Sequence, residues 1–145
     1  MPEDIKEFKV LVVEDDLQLR KFMKLILENK FQFKVFEAEN GKIGMEVVEK
    51  EKPNLILLDL MMPEVTGSEF LANIRQKDEF KDISVIVCSA VSDKKVISEL
   101  VRYGISDFIL KPVTPTQLTN KIGEFLKKYQ AKLESEAIMK GVNLQ

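Results

Sequence analysis

The sequence contains no histidine, no tryptophan and a single cysteine, Cys88, in 145 residues. Without histidine, the protein has no imidazole for general acid–base catalysis and no imidazole ligand for a metal ion. A metal would therefore have to bind oxygen ligands, and a nucleophile would have to be Asp, Ser, Thr, Lys, Tyr or the one Cys. Cys88 cannot form an intramolecular disulfide, and the apolar stretch around it, ISVIVCSA, predicts a small buried side chain.

Long apolar runs and an excess of one charge are absent as well. No run reaches the roughly 18 residues that a membrane span requires, and the N-terminal MPEDIKEF has no apolar signal core. The formal net charge is −2, with 22 basic and 24 acidic residues interspersed along the chain. We therefore expect a cytoplasmic domain that binds neither a membrane nor nucleic acid directly.

Apolar runs alternate regularly with segments of helical periodicity, which predicts an α/β fold. Strands are predicted at residues 8–13, 33–38, 55–58, 83–88 and 107–110, and a helix is predicted after each. Five such units in about 125 residues favour a (βα)5, flavodoxin-like, doubly wound parallel sheet with strand order 2-1-3-4-5 and helices on both faces. The length of 145 residues suits one domain with a core and is too short for two.

The last predicted helix is unusually long. Its apolar residues recur at helical spacing from Leu118 to Leu133, beyond the point where the domain would be closed, and Gly141 marks its end. We assign residues 1–130 to the domain and residues 131–145 to a C-terminal helical extension or linker. The last helix could pack in its first half and fray in its second, connect to an output domain, or form a homodimer contact.

Carboxylates follow the first and third predicted strands directly. Glu14, Asp15 and Asp16 come after the first strand, and Asp59 ends the unbroken apolar run LILL. Ligands of a doubly wound sheet bind beyond the carboxyl ends of the strands, where the strand order reverses, so these acids should share one crevice. Such like charges need compensation, and their oxygens suit Mg²⁺. For Asp16, a role as N-cap of the first helix is a simpler alternative.

A hydroxyl and an ammonium group are expected at the same edge of the sheet. Ser89 stands at the end of the fourth strand, and Lys111 follows the fifth strand, immediately before Pro112. Acids, a hydroxyl, an ammonium group and a divalent cation together favour phosphoryl chemistry, in which a carboxylate can attack phosphorus.

These residues lie in four stretches that resemble the receiver domain of two-component response regulators, including the single-domain chemotaxis type. The stretches are VLVVEDD at 10–16, DLMMPEVTG at 59–67, CSA at 88–90 and DFILKP at 107–112. The resemblance covers roughly residues 8 to 128, and the four stretches follow one another in the family's order and at fitting distances.

The resemblance implies a phosphorylation switch. Asp59 would accept a phosphoryl group from a histidine kinase or phosphotransfer protein, while Ser89 and Lys111 would contact that group. Phe108, in place of the more common Tyr, would be the switch aromatic that rotates inward when Ser89 moves. The bond between Lys111 and Pro112 would be cis. A downstream protein partner would bind the face formed by the fourth helix, the fifth strand and the last helix.

The resemblance also implies a Mg²⁺ site. Asp15, Asp59 and the backbone carbonyl of Met61 would bind the ion, and Glu14 would act mostly through metal-bound water. Pro63 and Gly67 would shape the loop after Asp59. The paired methionines 61 and 62 are expected to pack in the loop and core, and the apolar Met61 offers no polar group to guide a hydrolytic water. We therefore expect slow autodephosphorylation and no enzymatic activity on a separate substrate.

Other functions compete with this interpretation. An Asp-nucleophile phosphatase of the haloacid-dehalogenase-like type needs a second acid two residues after the nucleophile, where this sequence has Met61. A flavodoxin-like nucleotide binder needs a Gly/Ser/Thr-rich phosphate loop after the first strand, where EDDLQL carries acids. The chain could also be a receiver-fold module that binds without phosphorylation, or the receiver fragment of a larger regulator with an output domain.

Overall fold

The computed structural model describes residues 7–62 and 65–141. In this part of the chain five parallel strands form one sheet in the order β2-β1-β3-β4-β5. The strands are β1 (Lys9–Val13), β2 (Lys34–Ala38), β3 (Leu55–Leu58), β4 (Ser84–Ser89) and β5 (Asp107–Leu110). The predicted flavodoxin-like topology is confirmed, and the strand order reverses between β1 and β3.

A helix follows each of these strands. The helices are α1 (Leu17–Phe31), α2 (Gly41–Glu51), α3 (Gly67–Gln76), α4 (Lys94–Arg102) and α5 (Pro115–Met139). Each begins after a side-chain N-cap that accepts a backbone N–H of the first turn, which satisfies a donor that the helix itself cannot pair. The caps are Asp16, Asn40, Thr66, Asp93 and Thr114.

Two apolar layers cover the faces of the sheet. Val10 and Val12 of β1 pack in the layer that includes α1 and α5, whereas Leu11 and Val13 pack in the layer that includes α2, α3 and α4. Because helices cover both faces, the central strands have no polar face, and this accounts for runs such as LILL. Cys88 lies in the first layer and is buried as predicted, and burial raises the pKa of its thiol to about 12.

Helix α5 packs only along its first half. Leu118, Ile122 and Phe125 are buried and Tyr129 packs against the same layer, whereas residues 131–136 are all exposed. Our assignment of residues 131–145 to an extension or linker stays a prediction, and residues 142–145 lie outside the described part of the chain. Among the described residues, no helix combines the length and the apolar character that a membrane crossing needs.

Arg75 of α3 joins two loops at the amino edge of the sheet, opposite the acids. Its Nη1 donates to the carbonyls of Lys81 at 3.0 Å and Ile83 at 2.8 Å. Its Nε donates to the carbonyl of Tyr103 at 2.6 Å, and its Nη2 to that of Gly104 at 3.3 Å. These bonds tie the end of α4 to the segment that enters β4, because one guanidinium can donate in several fixed directions.

Candidate functional site

The acids after β1 and β3 lie side by side, as the strand order predicts. The register pairs Val13 with Leu58, and the backbone N–H of Asp59 donates to the Val13 carbonyl at 3.0 Å. Glu14, Asp15 and Asp59 each offer one carboxylate oxygen, and these oxygens lie within 4.8 Å of one another. Glu14 and Asp59 are only 1% and 3% exposed, whereas Asp15 is open to solvent.

This donor set fits a hard divalent cation. Three carboxylates offer only oxygen ligands, which Mg²⁺ prefers, and the exposure of Asp15 leaves one side open to the waters that Mg²⁺ usually keeps. The individual roles at this site, including those of Glu14 and of the Met61 carbonyl, stay predictions.

Lys111 brings positive charge to the acids. Its Nζ lies 2.7 Å from Oε1 of Glu14 and 3.4 Å from Oδ2 of Asp59. The shorter contact is therefore with Glu14, a pairing that the sequence analysis did not anticipate. Burial lowers the pKa of Lys111, but the hydrogen bond that Lys111 donates to Glu14 and the charge of Asp59 outweigh that effect and raise the pKa above its ordinary value. The bond between Lys111 and Pro112 is cis, as the resemblance implies.

The Glu14 carboxyl is strongly perturbed. Burial is the largest cause and raises its pKa from the ordinary 4.5 to about 7, and the charge of Asp59 adds to the rise. The hydrogen bonds with Lys111 and with the backbone of Asp16 oppose this rise without cancelling it. In the metal-free protein, Glu14 therefore exchanges its proton near neutral pH.

Asp16 organises the loop between β1 and α1 rather than extending the acid cluster. Its Oδ1 accepts the backbone N–H groups of Gln18 at 3.0 Å and Leu19 at 3.3 Å, which confirms the predicted cap. Its own N–H donates to Oε2 of Glu14 at 3.2 Å. The cap thus also fixes the direction of the Glu14 side chain.

Arg20 is a contact of this loop that sequence reasoning missed. Its Nη1 donates to the backbone carbonyl of Glu14 at 2.7 Å, and its Nε donates to Oε1 of Glu37 at 3.1 Å. Burial disfavours the charge of Glu37, but hydrogen bonds from Lys21 and Arg20 outweigh it and lower the pKa of Glu37. In the sequence, Arg20 is one of several basic residues between the apolar positions of α1, so no local pattern singles it out.

Ser89 and Phe108 lie at different positions along their strands. Ser89 ends β4, is fully buried, and its Oγ accepts the N–H of Val91 at 3.3 Å. Its carbonyl accepts the N–H of Lys111 at 2.9 Å, which places the two residues at the same edge. Phe108 pairs with Val87 further back along the strands and packs, partly buried, against the layer with α4. The switch roles of both residues stay predictions.

The loop after Asp59 corrects one expectation. Met62 is 7% exposed and packs in the core, but Met61 is 65% exposed, so the packing prediction was wrong for Met61. Its N–H donates to Oδ1 of Asp59 at 3.2 Å, and this local turn places Met61 at the surface beside the acid. Pro63 lies outside the described residues.

Gly67 lets the loop return close to the acid. Its N–H donates to the Leu60 carbonyl at 3.1 Å, and a Cβ at this position would clash with the Asp59 carbonyl oxygen and lie 2.6 Å from the Leu60 Cα. Both of these atoms belong to the backbone, so the clash cannot be relieved by a side-chain rotation. The expected role of Gly67 in shaping this loop therefore has a steric basis.

Gly67→Ala should displace the backbone of Asp59 and Leu60 and lower the free energy of unfolding by about 1–3 kcal/mol, the usual cost of overpacking. Urea denaturation measures this change. The matched control is Gly123→Ala in α5, where an added Cβ meets no heavy atom within 4 Å and the loss of glycine flexibility should stabilise the helix by about 0.5–1 kcal/mol. Unchanged stability of Gly67→Ala would contradict the close approach.

The perturbed pKa of Glu14 predicts how stability depends on pH. The folded protein keeps the Glu14 proton up to about pH 7, whereas the unfolded chain loses it near pH 4.5, so this group makes stability fall as the pH rises between these values. The contribution is at most about 3 kcal/mol. Glu14→Gln should remove it, so the free energy of unfolding of the variant minus that of the wild type should increase from pH 5 to pH 8. Urea unfolding in a metal chelator measures this, and a difference independent of pH would contradict the assignment.

Comparisons with known proteins agree with the geometry. A family model described as the response regulator receiver domain matches residues 10–123. The chain is 35% identical over 131 residues to the probable C4-dicarboxylate response regulator DctR of Bacillus subtilis, which covers 90% of this chain and 57% of DctR. It is 36% identical over 104 residues to the chemotaxis protein CheY of Listeria monocytogenes, which covers 72% of this chain and 86% of CheY.

A solved structure shares the fold. The crystal structure of a signal receiver domain from Vibrio parahaemolyticus has a TM-score of 0.79 and 31% sequence identity, and the match covers 90% of this chain and 97% of that one. The chain spans little more than half the length of DctR but most of the length of CheY. The family model, the relatives and the fold agree, and the chain belongs to the response regulator receiver domain family of two-component signalling proteins.

Proposed function

We propose that this protein is a phosphorylation-controlled switch in which Asp59 accepts a phosphoryl group from a histidine kinase or a phosphotransfer protein. One observation supports this more than any other: a buried carboxylate at the end of β3 lies 3.4 Å from an ammonium group and beside two further acids. A stable fold does not need this arrangement for packing, because buried like charges cost free energy. It does suit the transfer of a phosphoryl group onto a carboxylate.

In the proposed transfer, an ionised oxygen of Asp59 attacks phosphorus. The bond from phosphorus to the donor nitrogen breaks, and the donor imidazole leaves with the bonding electrons. Lys111 pairs with the phosphoryl oxygens, and the Ser89 hydroxyl donates a hydrogen bond to one of them. Charge stabilisation by groups placed in advance is the main way in which proteins promote such transfers.

Mg²⁺ is the proposed cofactor. Asp15, Asp59 and the Met61 carbonyl would hold it, with Glu14 acting through water. When bound, the ion supplies charge neutralisation for the phosphoryl oxygens. The protein's own part is to hold these oxygens close together and to keep Lys111 charged.

The proposed switch follows from the new charge. Phosphorylation replaces the single negative charge of the Asp59 carboxylate with a phosphoryl group that carries about −1.5 to −2 charges, which should draw Lys111 away from Glu14, its closer partner now. Ser89 currently accepts the Val91 N–H, and its turn toward the phosphoryl group would alter the segment that enters α4. Together with Phe108, this would change the face of α4, β5 and α5 to which a downstream protein binds.

The domain boundaries belong to the same proposal. Residues 1–130 form the receiver, and residues 131–145, which begin in the last turns of α5, are an extension, a linker or a contact for a second copy. The domain accepts and slowly loses its own phosphoryl group and acts on no separate substrate.

Incubation with Mg²⁺ and acetyl phosphate should add one phosphate to the wild type, because a small donor can replace the kinase as a source of the phosphoryl group. Intact-mass spectrometry measures this addition. Asp59→Ala should gain none, and the matched control Asp78→Ala, at an exposed loop position, should gain one. Failure of the wild type to gain phosphate, or the same gain on Asp59→Ala, would contradict the proposal.

Met61→Asn should shorten the lifetime of the phosphorylated protein severalfold, because an amide beside Asp59 can orient a water molecule for attack on phosphorus. The decay of the phosphorylated mass after removal of acetyl phosphate measures the lifetime. Met139→Asn, at a methionine that is 85% exposed near the end of α5, is the control and should decay like the wild type. Equal decay of phosphorylated Met61→Asn and of the phosphorylated wild type would contradict the proposed effect of Met61 on hydrolysis.

A further inference from the structure

Arg20 contacts both ends of the loop that carries the acids after β1. Its backbone N–H donates to the Asp16 carbonyl at 2.9 Å, and its guanidinium donates to the Glu14 carbonyl at 2.7 Å. Asp15 stands between these two residues and faces solvent. The backbone on each side of Asp15 is thus bonded to the same residue of α1.

A residue of the neighbouring strand β2 holds the Arg20 side chain in place. Nε of Arg20 bonds to Glu37 of β2 at 3.1 Å, and only 11% of the Arg20 side chain is exposed. Lys21 binds the other oxygen of Glu37 at 2.7 Å, but its side chain is 57% exposed. The N–H of Glu14 donates to the Ala38 carbonyl of the same strand at 3.0 Å. Both backbone polar groups of Glu14 are therefore bonded to elements outside the loop.

We propose that Arg20 is a positioning residue of the cation and phosphoryl site, and that it acts through the Glu14 carbonyl on the loop that carries Glu14 and Asp15. The inference rests on the proposed function. A carboxylate on a loose loop loses conformational freedom when it binds a cation, whereas one on a loop that is already fixed does not. The planar guanidinium suits this task because it donates to Glu37 and to the Glu14 carbonyl at the same time.

A purely structural role would join α1 to β2 and leave the acids unaffected. The two roles differ in their effect on Mg²⁺ affinity, which can be measured without any phosphoryl donor. Groups that orient metal ligands typically change metal affinity by about 10- to 100-fold when they are removed. Because Arg20 acts through the backbone, we expect the lower end of that range for Arg20→Gln.

The test is calorimetric titration of the full, unphosphorylated chain with MgCl₂, with circular dichroism to verify the fold. Arg20→Gln should weaken Mg²⁺ binding about tenfold. The matched control is Lys21→Gln, which also removes one positive charge from Glu37 but has no bond to Glu14, and it should bind Mg²⁺ like the wild type. Equal weakening in both variants would show an effect of the lost ion pair with Glu37, which both residues share, and would overturn the proposal, as would an Arg20→Gln affinity equal to that of the wild type.

Arg20→Lys decides the matter if Arg20→Gln does not fold. Lysine keeps the charge but cannot donate to Glu37 and to the Glu14 carbonyl at the same time, as the guanidinium does. Mg²⁺ binding by Arg20→Lys should therefore again be weaker than in the wild type, and wild-type affinity would overturn the proposal. Failure of the wild type to bind Mg²⁺ would overturn the proposed cation site and this inference together. Wild-type binding of Mg²⁺ with unchanged Arg20 variants would overturn this inference alone.

Discussion

The need to place three carboxylates beside one ammonium group at the carboxyl edge of a parallel sheet governs the rest of this structure. Glu14 and Asp59 are buried, and two buried like charges repel each other and lose hydration. The Lys111 ammonium group offsets part of this cost, because its Nζ lies 2.7 Å from Oε1 of Glu14 and 3.4 Å from Oδ2 of Asp59. The part of the cost that Lys111 does not offset raises the pKa of Glu14. A divalent cation would relieve the same repulsion, and the three carboxylates fit such an ion.

The fold makes this concentration of charge tolerable. Both faces of the central strands are covered by apolar layers, and polar residues stand only at the first or last position of these strands or beyond it. The register of β1 with β3 then sets Glu14 and Asp59 side by side, and the backbone N–H of Asp59 donates to the Val13 carbonyl at 3.0 Å. Gly67 allows the following loop to return within contact distance of the Asp59 backbone. The paired strands and the close loop together hold Asp59 in place.

The sequence predicts the features that depend on the spacing of apolar residues and on the order of strands and helices along the chain. Unbroken apolar runs identify the covered strands, the alternation with helices identifies the parallel sheet, and the residue after each run lies at the functional edge. Contacts that depend on the direction of a side chain could not be read in this way. The pairing of Lys111 with Glu14, the exposure of Met61, and the bonds of Arg20 and Arg75 all arise from loops and helix ends, where neither the 3.6-residue nor the two-residue period applies.

Chemical mapping of the modified residue tests the central claim most directly. Borohydride reduces an acyl phosphate of aspartate to homoserine, so protein treated with Mg²⁺ and acetyl phosphate, reduced, digested and sequenced by mass spectrometry reports which carboxylate accepted the phosphoryl group. We expect homoserine at position 59 and unchanged aspartate at positions 15 and 16. Homoserine at another position, or at none, would contradict the account of Asp59 as the group around which the site is built.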